Sequence, residues 1–307
     1  MKVLLAEERP LREALGLGPA LLGRAEAERA PWMAASVVRG PAVVLGAGQR
    51  AGRVISLEAC AASGAVVLRR ATAGTAVYVG ERAILWTLAL PHVAALAPDA
   101  TMRTLLNRNV RGFLDGLRKA GALAHYFGRE WISVRKRPAA VMGFEVSEGG
   151  AVLLEVLAGI EAPVAVPAEL ATEEERAVDR WLAKEPAGLG EVLEGGALGI
   201  AREVMQTVAL RARGPIEEIA AIEAAAVGVV TRDDDPMPEG FVARPGVRVP
   251  IGWIDTGAES ASGRVWIGGD VLAPAHVLRA IAEGAGAVGE VAVEGATVAD
   301  LVAAARR

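Results

Sequence analysis

The sequence predicts an α/β (α+β) fold in which a mixed central β-sheet is flanked by helices. Short β-branched runs at Ala42–Leu45, Ala65–Arg69, Ala76–Val79 and Ile84–Leu88 supply the first strands. From Thr101 to Lys119, Leu105, Leu106, Val110, Phe113, Leu114 and Leu117 recur at spacings of three and four, the pattern of an amphipathic helix. A second strand group follows at Ile132–Val134, Ala139–Glu145 and Ala151–Leu157, with Gly149-Gly150 as a hairpin turn.

Taken in order, residues 1 to about 35 read as helical, with the leucine-rich part interrupted at Gly16, Gly18 and Pro19. Gly121 stands where a C-terminal glycine closes the helix that begins near Thr101. Thr172 and Glu175 have capping-box spacing, since a Thr hydroxyl and a Glu three residues on satisfy each other's orphan donors. The helix they open is expected to bury Val178, Trp181 and Leu182 and to stop before Pro186. A helix-rich stretch is expected from Gly188 to Ala226. Residues 245–307 read as strand, strand, helix, strand and helix, with Thr297 and Asp300 capping the last. The expected organisation is a large domain over 1–230, a linker over 231–244 and a small C-terminal α/β accessory domain over 245–307.

A chain of 307 residues has ample material for a core, and 52% apolar with 23% charged residues is globular composition. The net charge of −4, with both signs scattered, gives no dominant basic field for nucleic acid. The single Cys60 excludes an intramolecular disulfide framework and reads as a small buried residue rather than a nucleophile. No apolar run reaches the roughly 18 residues of a membrane span. Glu7-Glu8-Arg9-Pro10 argues against a signal peptide, so a cytoplasmic location is expected. Thr231–Pro238 carries three aspartates, read as a solvated acidic turn because no histidine or fourth ligand is spaced nearby. His92, His125 and His276 are too dispersed for a zinc or triad spacing, and no metal site is expected.

The most informative stretch is Pro41–Tyr78. A β-branched run ends at Gly46, Gln49 follows in a turn, and a second run stops at Arg69-Arg70 before a loop of small residues, Ala71–Ala76. This layout resembles the lipoate–protein ligase A family of the biotin/lipoate ligase group. That family has Gly-x-x-Gln after a strand, then Arg-Arg-x-Ser/Thr-Gly-Gly-Gly-Ala-Val-Tyr-His-Asp. Gly46, Gln49, Arg69, Arg70, Thr72, Gly74, Ala76, Val77 and Tyr78 match; Ala73 and Thr75 replace glycines, and Val79-Gly80 stand in place of His-Asp. The Gly269-Asp270 pair after a strand resembles the family's accessory domain. A dinucleotide reading of Gly46-x-Gly48-x-x-Ala51 fails, because the next strand ends in Arg69 rather than an acid.

The resemblance implies a biotin/lipoyl ligase-like fold and chemistry that joins a fatty-acid carboxylate to AMP, then passes the acyl group to a carrier lysine. Such a step needs cations and backbone donors aimed at developing negative charge. It implies that Arg69, Arg70, Thr72, Ala73, Gly74, Thr75 and Ala76 bind substrate. Ala73 and Thr75 are expected to narrow the loop and to make positive φ costly there, by roughly 1 kcal/mol or more. The family's lysine position falls on Pro138, which has neither charge nor N–H. Lys136 is the candidate catalytic cation if the strand shifts by two residues, which preserves the strand face. ATP with Mg and lipoate or octanoate are the implied cofactors if the chain is active. Lipoyl carrier domains of a 2-oxoacid dehydrogenase E2 or the glycine-cleavage H protein are the implied partners. The alternative is a non-catalytic relative that binds a small acyl ligand or a protein partner.

Overall fold

A computed structural model describes residues 1–232, 234–284 and 291–307. The chain opens with β1 (Lys2–Leu4) and β2 (Glu7–Glu8), then α1 (Leu11–Glu28), β3 (Trp32–Val38) and β4 (Ala42–Leu45). Short helices α2 (Ala51–Val54) and α3 (Leu57–Ala62) lead to β5 (Val66–Arg69), β6 (Val77–Val79) and β7 (Ala83–Leu90). Next come α4 (Leu105–Asn109), α5 (Arg111–Lys119), β8 (Ala124–Tyr126), β9 (Trp131–Val134), β10 (Arg137–Val146) and β11 (Val152–Gly159). They are followed by α6 (Glu173–Arg176), α7 (Ala197–Ala209) and β12 (Glu217–Ile219). The C-terminal part holds β13 (Phe241–Ala243), β14 (Val247–Val249), β15 (Gly252–Glu259), β16 (Val265–Gly269), α8 (Ala275–Ala282) and α9 (Val298–Ala305).

The main sheet is nine-stranded and mixed, in the order β12-β1-β3-β7-β11-β10-β9-β8 with β2 beside β3. A three-stranded sheet, β5-β4-β6, carries the Arg69-Arg70 loop at one end, and β13–β16 form a separate four-stranded sheet. Helices cover both faces of the main sheet. Trp32 and Ala34 of β3 pack with Leu17, Leu21 and Ala25 of α1, whereas Met33 and Ala35 belong to the cluster that holds Phe113 of α5 and Val204 of α7. Strands buried on both faces read as continuous apolar runs, which is why β3, β7 and β11 show no alternation.

Three local expectations change. The first 35 residues contain β1, β2 and β3 as well as α1, because two- and three-residue strands form only through non-local pairing with β3 and β12. Helix α1 also runs through Gly16, Gly18 and Pro19. The local cost of roughly 1 kcal/mol per glycine and 3 for proline is outweighed by burial of Leu15, Leu17 and Leu21. The capped helix after Thr172 ends at Arg176, and Leu182 is exposed, since Arg180 turns inward into a buried ion pair. The Gly188–Ala226 stretch holds one long helix, α7, and then an extended segment whose Ala225 amide donates to the Gly16 carbonyl.

Helices α5 and α7 approach closely at Gly116, where an added Cβ would lie 2.6 Å from Val204 Cα. Gly116→Val should therefore destabilise the protein by roughly 2 to 3 kcal/mol through overpacking. Urea unfolding checks this, and an unchanged midpoint would show slack at the crossing.

Candidate functional site

The site is built where β4, β5 and β10 end together. After β4 the chain turns at Gly46–Gln49, and the Gln49 side chain bends back so that its Oε1 accepts from the Gly46 amide at 2.8 Å. The Ala71–Ala76 loop is tied to both neighbours: the Ala47 amide donates to the Thr72 carbonyl, and the Ala73 amide donates to the Phe144 carbonyl of β10. Gly143 has no room for a side chain, because a Cβ would sit 2.6 Å from Thr72 Oγ1. Within the loop only Gly74 takes a positive φ, +113°. The strain expected at Ala73 and Thr75 is therefore absent, and their side chains are buried instead.

Both arginines are engaged with loop carbonyls. Arg69 donates to the carbonyls of Gly46 (2.9 Å), Gln49 (2.6 Å) and Asp234 (3.1 Å), which clamps the β4 turn. Burial lowers its pKa, opposed by Asp235 and Asp234. Arg70 is only 5% exposed. Its Nε donates to Thr72 Oγ1 at 3.0 Å and its Nη2 to the Thr75 carbonyl at 2.8 Å. The Thr72 hydroxyl in turn donates to Glu155 Oε2 at 2.5 Å. Burial pushes Arg70 down to about 10, partly offset by the Glu155 carboxylate. Burial also raises the Glu155 carboxyl against the hydrogen bond from Thr72 and the charge of Arg70. Glu155 Oε1 and Thr75 Oγ1 are buried without a protein partner. Glu155 was not among the expected site residues, although a lone carboxylate within Ala151–Gly159, otherwise free of charge, is a legible signal for a buried polar partner.

A second network joins this end of the sheet to the C-terminal sheet. Gln49 Nε2 donates to Asp270 Oδ1, and the Gly269 amide donates to the Gly48 carbonyl at 2.7 Å. Asp270 Oδ2 accepts from the Trp253 amide at 2.8 Å and pairs with Arg180 at 3.4 Å. Arg180 also forms a bidentate pair with Glu175 and donates to the Ile251 carbonyl at 2.6 Å. Burial alone would lower Arg180, but the Asp270 and Glu175 carboxylates outweigh it and hold it above its ordinary value. Burial and the Asp270 charge push Glu175 up to about 7, against the pull of Arg180.

Two cavities flank the loop. One of about 730 Å³ lies between Ala47, Gly48 and Ala73 on one side and Trp266, Val271 and Leu278 on the other. Its wall also includes Glu145, Arg264 and Arg279. A smaller one, about 400 Å³, lies beside Ala76 with Trp181 and the Glu175–Arg180 pair in its wall. Glu145 accepts from the Ala275 amide at the start of α8, and burial raises its pKa against that bond and one from Val146.

Lys136 is not brought to the loop. With Arg135 it forms the two-residue turn between β9 and β10, at φ +67° and +50°, with Val134 paired to Arg137 across it. It is exposed. Met142, beside the loop, is six residue steps along β10 from it, which is about 20 Å at ~3.3 Å per residue. Pro138 is buried in β10 opposite Ser133, and its carbonyl accepts from the Ala187 amide. Among the described residues no group of three or more His, Cys, Asp or Glu is placed to hold a metal ion. In the acidic turn Asp234 caps Thr231 and Asp235 pairs with Arg50, while Asp233 lies outside the described residues.

Residues 11–154 match the family model of the lipoyl protein ligase A/B catalytic domain. The match spans somewhat less than half of the chain and contains the Arg-Arg loop, so this region resembles that catalytic domain. Three solved structures share its fold at low identity. One is from the archaeal lipoylation system of Thermoplasma acidophilum, a bi-partite lipoate protein ligase and its E2 lipoyl domain (15% identity, 72% of this chain and 87% of that one, TM-score 0.60). Another is P. falciparum LipL1 in complex with lipoate (13%, 87% and 83%, TM-score 0.58). A third is a lipoate–protein ligase A bound with ATP (15%, 71% and 87%, TM-score 0.57). No curated protein matches the chain. No helix among the described residues is long and apolar enough to cross a membrane.

The Glu175 pair predicts a pH dependence. Between its ordinary 4.5 and about 7, native Glu175 keeps a proton that the unfolded chain has released. The folded state then binds more protons, so stability falls as pH rises through that window. Melting temperature measured from pH 5 to 8 should decline, and Glu175→Gln should flatten the decline. Removing the shared carboxylate is more severe: Asp270→Ala should cost about 3 to 5 kcal/mol in chemical denaturation, as expected when a buried pair is broken.

Proposed function

We propose that this chain handles lipoyl or medium-chain acyl groups for lipoyl carrier domains, holding the acyl chain in the cavity between the Ala71–Ala76 loop and the C-terminal sheet. The observation that carries this reading is the cavity of about 730 Å³ against Ala73 and Gly48, the loop and turn that match the family pattern. Its volume lies within the range of small-molecule pockets, and its wall is mostly small or apolar with charged groups at Glu145, Arg264 and Arg279. The ligand named for P. falciparum LipL1, lipoate, and the E2 lipoyl domain named for the archaeal ligase are the compounds to test first.

Adenylate formation with ATP and Mg is the finer question. Arg69 and Arg70 already satisfy loop carbonyls, so either would have to leave those partners to meet a phosphate. Pro138 in place of a lysine and Lys136 on an exposed turn are the observations behind a second reading, acyl binding without adenylation.

The decisive experiment incubates the protein with ATP, Mg²⁺, lipoate or octanoate, and an E2 lipoyl domain, then weighs the carrier by mass spectrometry. Acyl gain by the carrier is the expected result for a ligase. Octanoate-induced thermal stabilisation without pyrophosphate release is the result for the second reading. Absence of both signals would overturn the proposal. Lys136→Ala should leave any turnover within about twofold of wild type; its loss would put Lys136 back into the chemistry.

A further inference from the structure

Strand β8 is one of the two edge strands of the main sheet, and among the described residues it pairs only with β9. Within β8 Ala124 is buried and His125 half-buried, and Leu123 and Phe127, which flank the strand, are exposed. Leu123 is 62% exposed and Phe127 61%, and Leu182, 48% exposed, lies two residues before Lys184, which reaches the Phe127 ring. His125 stacks on Phe127 with centroids 5.7 Å apart, and Lys184 Nζ sits 5.7 Å from the Phe127 ring centroid. Scattered exposed apolar residues are ordinary, but large ones grouped on an open edge are not.

Cations outnumber carboxylates along this part of the chain. Residues 118–137 contain Arg118, Lys119, Arg129, Arg135, Lys136 and Arg137 against one carboxylate, Glu130, in a chain of net charge −4. Glu130 is buried and paired with Arg129 at 3.0 Å, while Arg118 pairs with Asp115 at 3.3 Å and Arg137 with Glu191 at 2.7 Å, which leaves Lys119, Arg135, Lys136 and Lys184 outside these ion pairs. Exposed Lys119, Arg135, Lys136 and Lys184 therefore border an apolar strip. The same arm reaches the candidate site: the Glu130 carbonyl accepts from the Met142 amide at 2.7 Å, two residues before Phe144, which holds Ala73.

We propose that the β8 edge, centred on Phe127 and bordered by these cations, is a docking surface for an acidic protein domain. Apolar contacts with Leu123, Phe127 and Leu182 supply the anchor, and the cations give orientation and on-rate. An acyl carrier seated there would face the loop end of β10. Choosing a carrier as the partner rests on the function proposed above, whereas the surface itself rests on the exposed residues and their charge.

The test titrates the full chain with an acidic E2 lipoyl domain at low and high salt, in parallel with octanoate-induced thermal stabilisation. Wild-type affinity should fall with salt, and Phe127→Ser combined with Lys184→Glu should weaken binding at least about tenfold. Octanoate stabilisation should be unchanged in the double variant, because neither residue touches the cavity. Wild-type affinity in that variant would overturn the surface, as would no wild-type binding to the carrier. Binding of a single-stranded oligonucleotide that the same substitutions abolish would also overturn it, in favour of nucleic acid. Salt-sensitive carrier binding without any octanoate effect would instead retain the surface and remove the acyl-binding reading.

Discussion

The buried Arg70 guanidinium constrains everything around it. A cation removed from water must find acceptors, and a protein interior supplies them only where the chain is bent to bring carbonyls inward. Here the Ala71–Ala76 loop does so: Thr72 Oγ1 and the Thr75 carbonyl face Arg70, and Thr72 passes its own proton toward Glu155 on β11. The loop path, the positive φ at Gly74 and the absence of a side chain at Gly143 all follow from packing around this cluster. The arginines here brace the loop itself.

A second constraint is the joint at Asp270. One carboxylate ties Gln49 of the β4 turn, the Trp253 amide of the C-terminal sheet and Arg180 together. Glu175 then shares Arg180, and two carboxylates on one arginine leave the cluster one negative charge in excess. That excess is why burial and Asp270 lift Glu175 toward neutrality. The C-terminal sheet thereby becomes one wall of the larger cavity, so the space beside the loop depends on residues more than 200 positions away in sequence from Gln49.

Some features were legible because their causes are local. The Thr172 and Thr297 caps form between residues three apart, where hydroxyl and amide meet in any helix start. The Gly149-Gly150 hairpin and the β4 boundaries likewise follow from turn chemistry and a β-branched run. Gly46, Gln49 and the Arg69–Ala76 loop were legible as a pattern. Their contacts were not, because a motif specifies residue types and not which acceptors a guanidinium meets.

Composition and motif by themselves determined the class of fold, its mixed sheet with flanking helices and the position of the Arg-Arg loop. The tertiary structure alone decided that Arg70 faces Thr72 and Glu155, that Lys136 turns outward at a hairpin tip, and that Asp270 closes on Gln49. Each outcome turns on pairing between strands or side chains far apart in sequence. Desolvation, which decides whether a charge is offered to a ligand or engaged within the fold, exists only once those distant segments have packed.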